Sequence, residues 1–120
     1  MKIRAIKSEI VKLAEVITIR NSVVEIEDYT DYYKHLGCSA FDMVTVCWNG
    51  HDISIFIDDE GLLKAGNLGR KVLGHPTPLF GNLVICGGVD RNGDTLHIPD
   101  EFGVVEVNTF INEVAFIVKG

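Results

Sequence analysis

Apolar and polar residues alternate with a period near two along much of this chain, a pattern typical of half-buried β-strands. The alternation begins in "KIRAIK" and returns in "EVITIRNSVVEIED", where two β-branched runs flank "RNS" and predict a hairpin or two short strands. Further hairpins are predicted at Asn49-Gly50 and Asn92-Gly93, because Asn-Gly accepts the positive φ angles of a type I′ turn.

Helical patterns are fewer. "DYTDYYKHLG" predicts a short helix at about residues 29–36, capped by Asp28 or Thr30 and ended by Gly37. "GLLKAGNLGRKVLG", residues 61–74, is interrupted by four glycines and predicts a loop with one helical turn. In the tail, "VVEV" predicts a strand, whereas "TFINEVAFIVK" is compatible with a strand or a terminal helix.

Together these elements predict an α+β fold: a small single domain over residues 1–120, mostly antiparallel sheet, with one or two short helices. No apolar run approaches the ~20 residues that span a bilayer. The first residues are interrupted by charges, unlike a signal peptide. The chain contains three cysteines, an odd number, and two of them, Cys47 and Cys86, lie in apolar runs. We therefore expect buried free thiols and a cytoplasmic protein.

Charge is unevenly distributed. The formal net charge is −6, residues 1–20 are basic, and residues 21–60 carry nine Asp or Glu against Lys34 alone. Binding to nucleic acid needs a dense basic face, so direct nucleic-acid binding is not expected. The acidic region 21–60 is either a solubilising surface or a face that meets a basic partner.

Residues 90–101, "DRNGDTLHIPDE", place Asp90, Asn92, Asp94 and Glu101 at the ligand spacing of a calcium-binding loop. Thr95 stands where such a loop needs glycine, and the preceding "LVICGGV" is typical of a strand. We favour a tight turn over a calcium site.

The acids Asp58, Asp59 and Glu60 close an apolar run before a glycine. Such a cluster could bind a divalent metal or serve as acid and base. Neighbouring residues of a strand point to opposite faces, so Asp58 and Asp59 would diverge within a strand. We therefore favour a strand end with acidic turn residues over a catalytic or metal site.

No nucleophile, zinc-binding or phosphate-loop motif is found, so we expect no catalytic residue, metal or cofactor. Arginine and backbone amides of glycine-rich loops hold phosphate or carboxylate, and aromatic rings stack on bases. The predicted ligand-binding residues are Asn67, Arg70, Lys71, His75, Arg91 and Trp48.

The order "YKHLGCSAFDMVTV", "ISIFIDDEGLLKAGN" and "PLFGNLVICGGVD" resembles a family of short phage and mobile-element proteins of unknown function. The resemblance covers about residues 24–90. It implies a viral or mobile-element origin without a specific chemistry. Small phage accessory proteins often counter host defence, either by sequestering a nucleotide signal or by binding a defence protein.

Three hypotheses follow. The first is a non-enzymatic protein, expected to form homo-oligomers, that captures a small anionic nucleotide-like ligand in the host cytoplasm. The second is a protein–protein inhibitor that uses its acidic face against a host defence or nucleic-acid-binding enzyme. The third is a small metal-dependent hydrolase that uses the acids of residues 58–60.

Overall fold

The computed structural model describes residues 2–61, 64 and 68–117, with side chains described as far as Ile111. Within these ranges the chain forms β1 (Ile3–Leu13), β2 (Val16–Ile26), α1 (Thr30–Leu36), β3 (Phe41–Trp48), β4 (His51–Asp58), β5 (Leu68–Val72), β6 (Leu79–Phe80), β7 (Leu83–Gly87), α2 (Val104–Phe110) and β8 (Ile111–Ile117). The predicted α+β class, dominated by antiparallel strands, is confirmed.

The strands form two sheets. The large sheet has the order β2-β1-β7-β4-β3 and the small sheet the order β6-β5-β8, and all neighbouring strands are antiparallel. Helix α1 covers one face of the large sheet, where Tyr32 stacks on Phe56 with ring centroids 4.0 Å apart. The small sheet and α2 cover the other face, and Ile55, Ile85 and Phe110 lie in the core between them. The large sheet is therefore the central layer of the molecule.

The hairpin at Asn49-Gly50 is confirmed. Asn49 has φ of 47° and Gly50 of 78°, as a type I′ turn requires, and β3 pairs with β4 along its whole length.

The turn at Asn92-Gly93 differs from the predicted type I′ geometry, since only Gly93 has a positive φ, of 83°. Gly93 N–H donates to the Asp90 carbonyl at 3.1 Å, and Asp90 N–H donates to the Asp94 carbonyl at 2.9 Å. This is a type I turn followed by a glycine bulge. The Asp90 carboxylate accepts the N–H groups of Asn92 and Asp94, both at 2.9 Å, so it stabilises its own loop.

The predicted break at "RNS" is wrong. β2 is one strand of eleven residues, paired with β1 from Ile3↔Ile26 to Leu13↔Val16 without interruption. Polar residues are tolerated there because β2 is the edge of the sheet and one side of it faces solvent.

Helix α1 is confirmed, and Gly37 ends it with φ of 65°. The predicted caps, Asp28 and Thr30, make no side-chain cap hydrogen bond. Instead the Asp31 carboxylate accepts the backbone N–H groups of Glu27 at 2.8 Å and Asp28 at 3.2 Å. These hydrogen bonds keep the pKa of Asp31 below its ordinary value.

The prediction of a strand for "VVEV" is also wrong, because these residues begin α2. Glu106 accepts the N–H of Gly103 at 3.1 Å, which satisfies a donor at the start of the helix. Val107 and Phe110, three residues apart, are both buried, and this packing outweighs the β-propensity of valine. Of the two structures with which the tail is compatible, a strand and a terminal helix, the strand is found from Ile111, where β8 begins.

All three cysteines are free, but only Cys86 is buried, while Cys47 is exposed. The expectation that both lie in the core is therefore wrong for Cys47, which is on the edge strand β3. Within the described part of the chain, no helix is long and apolar enough to cross a membrane.

Candidate functional site

The acids of residues 58–60 lie at a strand end, as predicted. β4 ends at Asp58. The buried carboxylate of Asp58 accepts a hydrogen bond from the Lys64 ammonium and another, of 2.9 Å, from the N–H of Glu60. The hydrogen bond to Asp58 raises the pKa of Lys64. Among the described residues, no three His, Cys, Asp or Glu side chains come together in a way that could hold a metal.

Arg70 lies in the interior, with 1% of its surface exposed. The prediction of a loop is wrong for residues 68–72, which form β5. The Arg70 guanidinium donates to the Ser8 hydroxyl, to the Ser8 carbonyl at 3.1 Å and to the Gly81 carbonyl at 3.1 Å. Arg70 thus joins the small sheet to β1 of the large sheet, and in this arrangement it does not face solvent.

The glycines around Arg70 serve packing. A Cβ added to Gly69 would lie 2.5 Å from the ring of Phe80, and one added to Gly61 would lie 2.5 Å from the Phe80 carbonyl oxygen. Both distances are shorter than any carbon contact allows, so glycine is needed for the close approach of Phe80. These two glycines do not form an open loop around an anion.

Of the other predicted residues near β5, Asn67 lies outside the described residues. Lys71 points away from Arg70 and is exposed, because adjacent residues on a strand face opposite sides. His75 Nδ1 lies 2.8 Å from the Thr77 carbonyl oxygen. His75 lines a mainly apolar cleft of about 480 Å³ beside Asp59.

Trp48 and Arg91 lie elsewhere. Trp48 is half-buried, and its ring is T-shaped against Phe102 and stacked on His51, with ring centroids 4.9 Å and 6.1 Å apart. Arg91 is exposed in the turn that follows β7. Arg70 contacts Gly81, at the opposite end of β7, a strand of five residues that spans about 16 Å. The described members of the predicted set therefore do not converge on one place, and the role of the set in ligand binding stays a prediction.

A different group of residues does come together. The C-terminal ends of β2, β3 and β7 and the N-terminal ends of β1 and β4 meet at one end of the large sheet. We call this region, with the segments that adjoin it, the acidic end. Its carboxylates are Glu25, Glu27, Asp28, Asp52, Asp90, Asp94, Asp100 and Glu101, and its Lys and Arg residues are Lys2, Arg4 and Arg91. The acidic end therefore carries a local excess of five negative charges.

The first cleft of the acidic end lies between α1 and the turn after β7. Its volume is about 470 Å³, and Glu27, Asp28 and Asp94 line it. Tyr29 and Tyr32 supply aromatic surface, and Tyr29 is largely exposed. The N–H groups of Glu27 and Asp28 donate hydrogen bonds to the Asp31 carboxylate, which holds the acidic rim next to the helix.

The second cleft lies over the start of β4. Asp52, Asp100 and Glu101 contribute to its lining, and its volume is about 460 Å³. A Cβ on Gly87 would lie 2.1 Å from the His97 carbonyl oxygen, so glycine there lets the segment around His97 cross the end of β7.

Arg4 fixes this segment in place. Its backbone N–H donates to His97 Nδ1 at 2.9 Å, so a neutral His97 ring carries its proton on Nε2. Its guanidinium donates to the Ile98 carbonyl at 2.8 Å and to Asp100 at 2.7 Å. Arg4 is thus occupied by contacts within the protein.

The ion pairs leave much of the negative charge uncompensated. Lys2 lies 3.6 Å from Glu25 and 3.8 Å from Glu27. His51 Nε2 lies 3.3 Å from Glu101. Asp28, Asp52 and Asp94 have no ion-pair partner among the described residues. Carboxylates beside an exposed aromatic ring, here that of Tyr29, are well suited to ammonium and guanidinium groups, through charge-assisted hydrogen bonds and cation–π contacts.

The sequence alone indicates half of this region. Its charge distribution predicts an acidic face over residues 21–60, whereas residues 90–101 suggest only a calcium loop or a turn. The fold places Asp94 and Glu27 on the lining of one cleft, and Asp100 and Asp52 on the lining of the other. The strand pairing that brings these segments together joins residues far apart in the chain, so local charge counts could not reveal it.

Comparison with known proteins identifies the family. The sequence model of a family described as "Domain of unknown function (DUF3846)" matches residues 3–114. The chain belongs to this family. No curated protein matches the chain, and neither does any solved structure.

Proposed function

We propose that this DUF3846 protein is a binding protein whose acidic end receives a basic segment of another protein. The observation that carries the proposal is the convergence of Glu27, Asp28 and Asp94 around a cleft with tyrosine side chains. A second acidic cleft lies on the same end of the sheet. Two acid-lined clefts can hold successive Lys or Arg side chains of one segment.

The chemistry of the clefts supports a protein partner more than a small anion. A phosphate-bearing ligand would meet uncompensated carboxylates there, which repel it. The aromatic surface of Tyr29 and the exposed apolar side chains of Val89 and Leu96 add contacts of the kind found in protein interfaces.

The resemblance to short phage and mobile-element proteins adds a biological setting to the proposal. In that setting the protein acts in the host cytoplasm as an accessory protein that counters antiviral defence. Its partner is a host defence or nucleic-acid-binding enzyme, whose basic surface the acidic end occupies. Exclusion of nucleic acid from that surface would inhibit the enzyme without any catalysis by this chain.

Binding of a fluorescent peptide of alternating Lys and Ser, measured by anisotropy at low and at physiological salt, tests the proposal. The informative variant is Glu27→Gln/Asp28→Asn/Asp94→Asn, and the matched control is Glu15→Gln/Asp59→Asn/Glu60→Gln. Both raise the net charge equally, but the control acids lie at the opposite end of the sheet. We expect the first variant to weaken binding about tenfold and the control to weaken it less than about twofold. Equal weakening, or no binding by the wild type, would overturn the proposal.

The hypothesis of a captured nucleotide-like anion is tested in parallel. Protein incubated with cyclic dinucleotides is desalted and heated, and the released ligand is identified by mass spectrometry. Intact retained ligand, lost in a Lys71→Ala/His75→Ala variant, would favour anion capture. Retention of no nucleotide is the result that the proposed function predicts.

A further inference from the structure

We infer that β2 is a dimerisation edge, where a second copy of this chain adds its own β2 antiparallel to the first and joins the two large sheets into one. This inference does not depend on the acidic end. β2 is an outer strand of the sheet, and its full length of eleven residues is paired with β1 without a bulge or proline. Natural proteins usually protect such an edge by shortening, bending or charging it, or by pairing it.

Backbone groups at regular positions along β2 have no hydrogen-bond partner among the described residues. On β1, Arg4 N–H donates to His97 and Ile10 N–H donates to Asn82 Oδ1, both away from β2. In an antiparallel ladder the residues opposite them, Glu25 and Ile19, must likewise direct their backbone groups away from β1. Because the backbone groups of successive residues point to alternate sides of a strand, every second residue has this orientation, at positions 17, 19, 21, 23 and 25. A row of outward N–H and C=O groups therefore runs along the edge.

A two-fold axis at Asn21 satisfies this whole row. It pairs Asn21 with Asn21 of the second copy, Ile19 with Val23, and Ile17 with Glu25. Every residue with outward backbone groups then meets another such residue, which is the condition for a complete antiparallel ladder.

The side chains along this edge are suited to burial. Val23 is 57% exposed, and Val16 and Ile17 are also largely exposed. Helix α2 lies beside β2, where the Asn21 side-chain amide donates to Asn108 Oδ1 at 3.4 Å. Val105, 71% exposed, lies three residues before Asn108 and thus on the same side of the helix. The edge and α2 therefore present adjacent apolar side chains.

Charge selects a second copy in antiparallel orientation. β2 contains one acid, Glu25, and one base, Arg20, so the strand is neutral although the chain as a whole has a net charge of −6. An antiparallel pair places the two acidic ends at opposite ends of the joined sheet, where mutual repulsion is smallest. The other outer strand of the large sheet, β3, carries Asp42 and no Lys or Arg, so β2 is the less acidic of the two edges.

The available area matches a stable dimer. Eleven residues of strand extend about 36 Å, and a strand with a packed helix layer is about 20 Å deep, which gives about 700 Å² per copy. Standard interfaces bury about 800 Å² per partner. The longest dimension of the molecule is 41 Å, which is close to the length of the strand.

Sedimentation velocity of the full chain across a concentration series tests the inference. The wild type is expected to reach twice the chain mass of 13.3 kDa. Ile19→Lys/Val23→Lys and Ile19→Glu/Val23→Glu should each be monomeric, because each places like charges opposite one another. A mixture of the two should regain the dimer through Lys–Glu pairs. The control Val89→Lys/Leu96→Lys, at the acidic end, should remain dimeric.

Hydrogen exchange keeps the test decisive if a variant fails to fold. In the wild type, the amides of Ile19, Asn21 and Val23 should exchange more slowly as concentration rises through the dimer dissociation constant. Amides of β3 should not change. A monomeric wild type at every concentration, or dimers that persist in both double variants, would overturn the inference.

Discussion

The β5 strand and the acidic end both combine glycines with charged residues, yet the fold uses them in opposite ways. On β5, Gly69 admits the ring of Phe80, and the buried Arg70 donates to backbone and hydroxyl oxygens between the sheets. At the acidic end, Gly87 admits a crossing segment, and the nearby Asp52 and Asp100 stay exposed. Burial thus separates a charge that holds the fold together from charges that can meet a partner.

The largest effect is expected from removal of the buried guanidinium. Arg70→Leu leaves the Ser8 and Gly81 oxygens without these donors in the interior, and we expect a loss of about 3 kcal/mol in the free energy of unfolding. Urea unfolding measures it. Lys71→Leu on the same strand is the control and should change stability by less than about 0.5 kcal/mol. Equal stability of the Arg70 variant and wild type would contradict an interior role.

A smaller loss is expected at Gly69. In Gly69→Ala the new methyl group overlaps the Phe80 ring, which must move within a packed core, at a cost of about 2 kcal/mol. A double variant with Phe80→Leu should recover part of this loss, because the smaller side chain leaves room for the methyl group. Thermal unfolding of the single and double variants checks this coupling. Additive losses would mean that the two positions do not clash.

Neutralising carboxylates of the acidic end should raise the free energy of unfolding, whereas the two preceding substitutions lower it. Glu27→Gln/Asp94→Asn removes like charges that lie around one cleft, so we expect a stability gain below about 1 kcal/mol at low salt. The gain should disappear at high salt, because screening weakens the repulsion in the wild type. A loss of stability at both salt concentrations would show that these carboxylates support the fold, as Arg70 does.

The smallest effect is expected from the pH dependence of Asp31. Two backbone N–H groups keep its pKa below the ordinary value of 3.8. A lowered folded-state pKa adds stability that is present above pH 3.8 and is lost as the pH falls through the folded-state value. Side-chain NMR titration should show the lowered pKa directly. Asp31→Asn should reduce the acid dependence of stability, and an ordinary pKa for Asp31 would contradict the cap geometry.

Much of the fold could be predicted from local pattern, but only half of the acidic end could. Asn49-Gly50 and Gly37 are local signals, because their backbone angles are set by the residues themselves. The helical state of "VVEV" depends on burial of Val107 and Phe110, which only the tertiary packing supplies. The same holds for Arg70, whose interior position follows from the packing of the small sheet against β1 of the large sheet.

The acidic end shows the limit most clearly. Glu27 and Asp94 are separated by most of the chain, and their proximity depends on the order of strands in the large sheet. Long-range pairing leaves no periodic trace in the sequence. A charge count over neighbouring residues therefore detects residues 21–60 but not the contribution of residues 90–101.

The most direct test of the account is an NMR titration of the protein with the alternating Lys–Ser peptide, followed by amide chemical shifts. We predict shifts concentrated at Glu27, Asp94 and Asp100, with no change at Arg70. A titration with cyclic dinucleotide should leave both regions unchanged. Peptide-induced shifts along β5 in place of the acidic end, or dinucleotide-induced shifts at Lys71 and His75, would contradict the account.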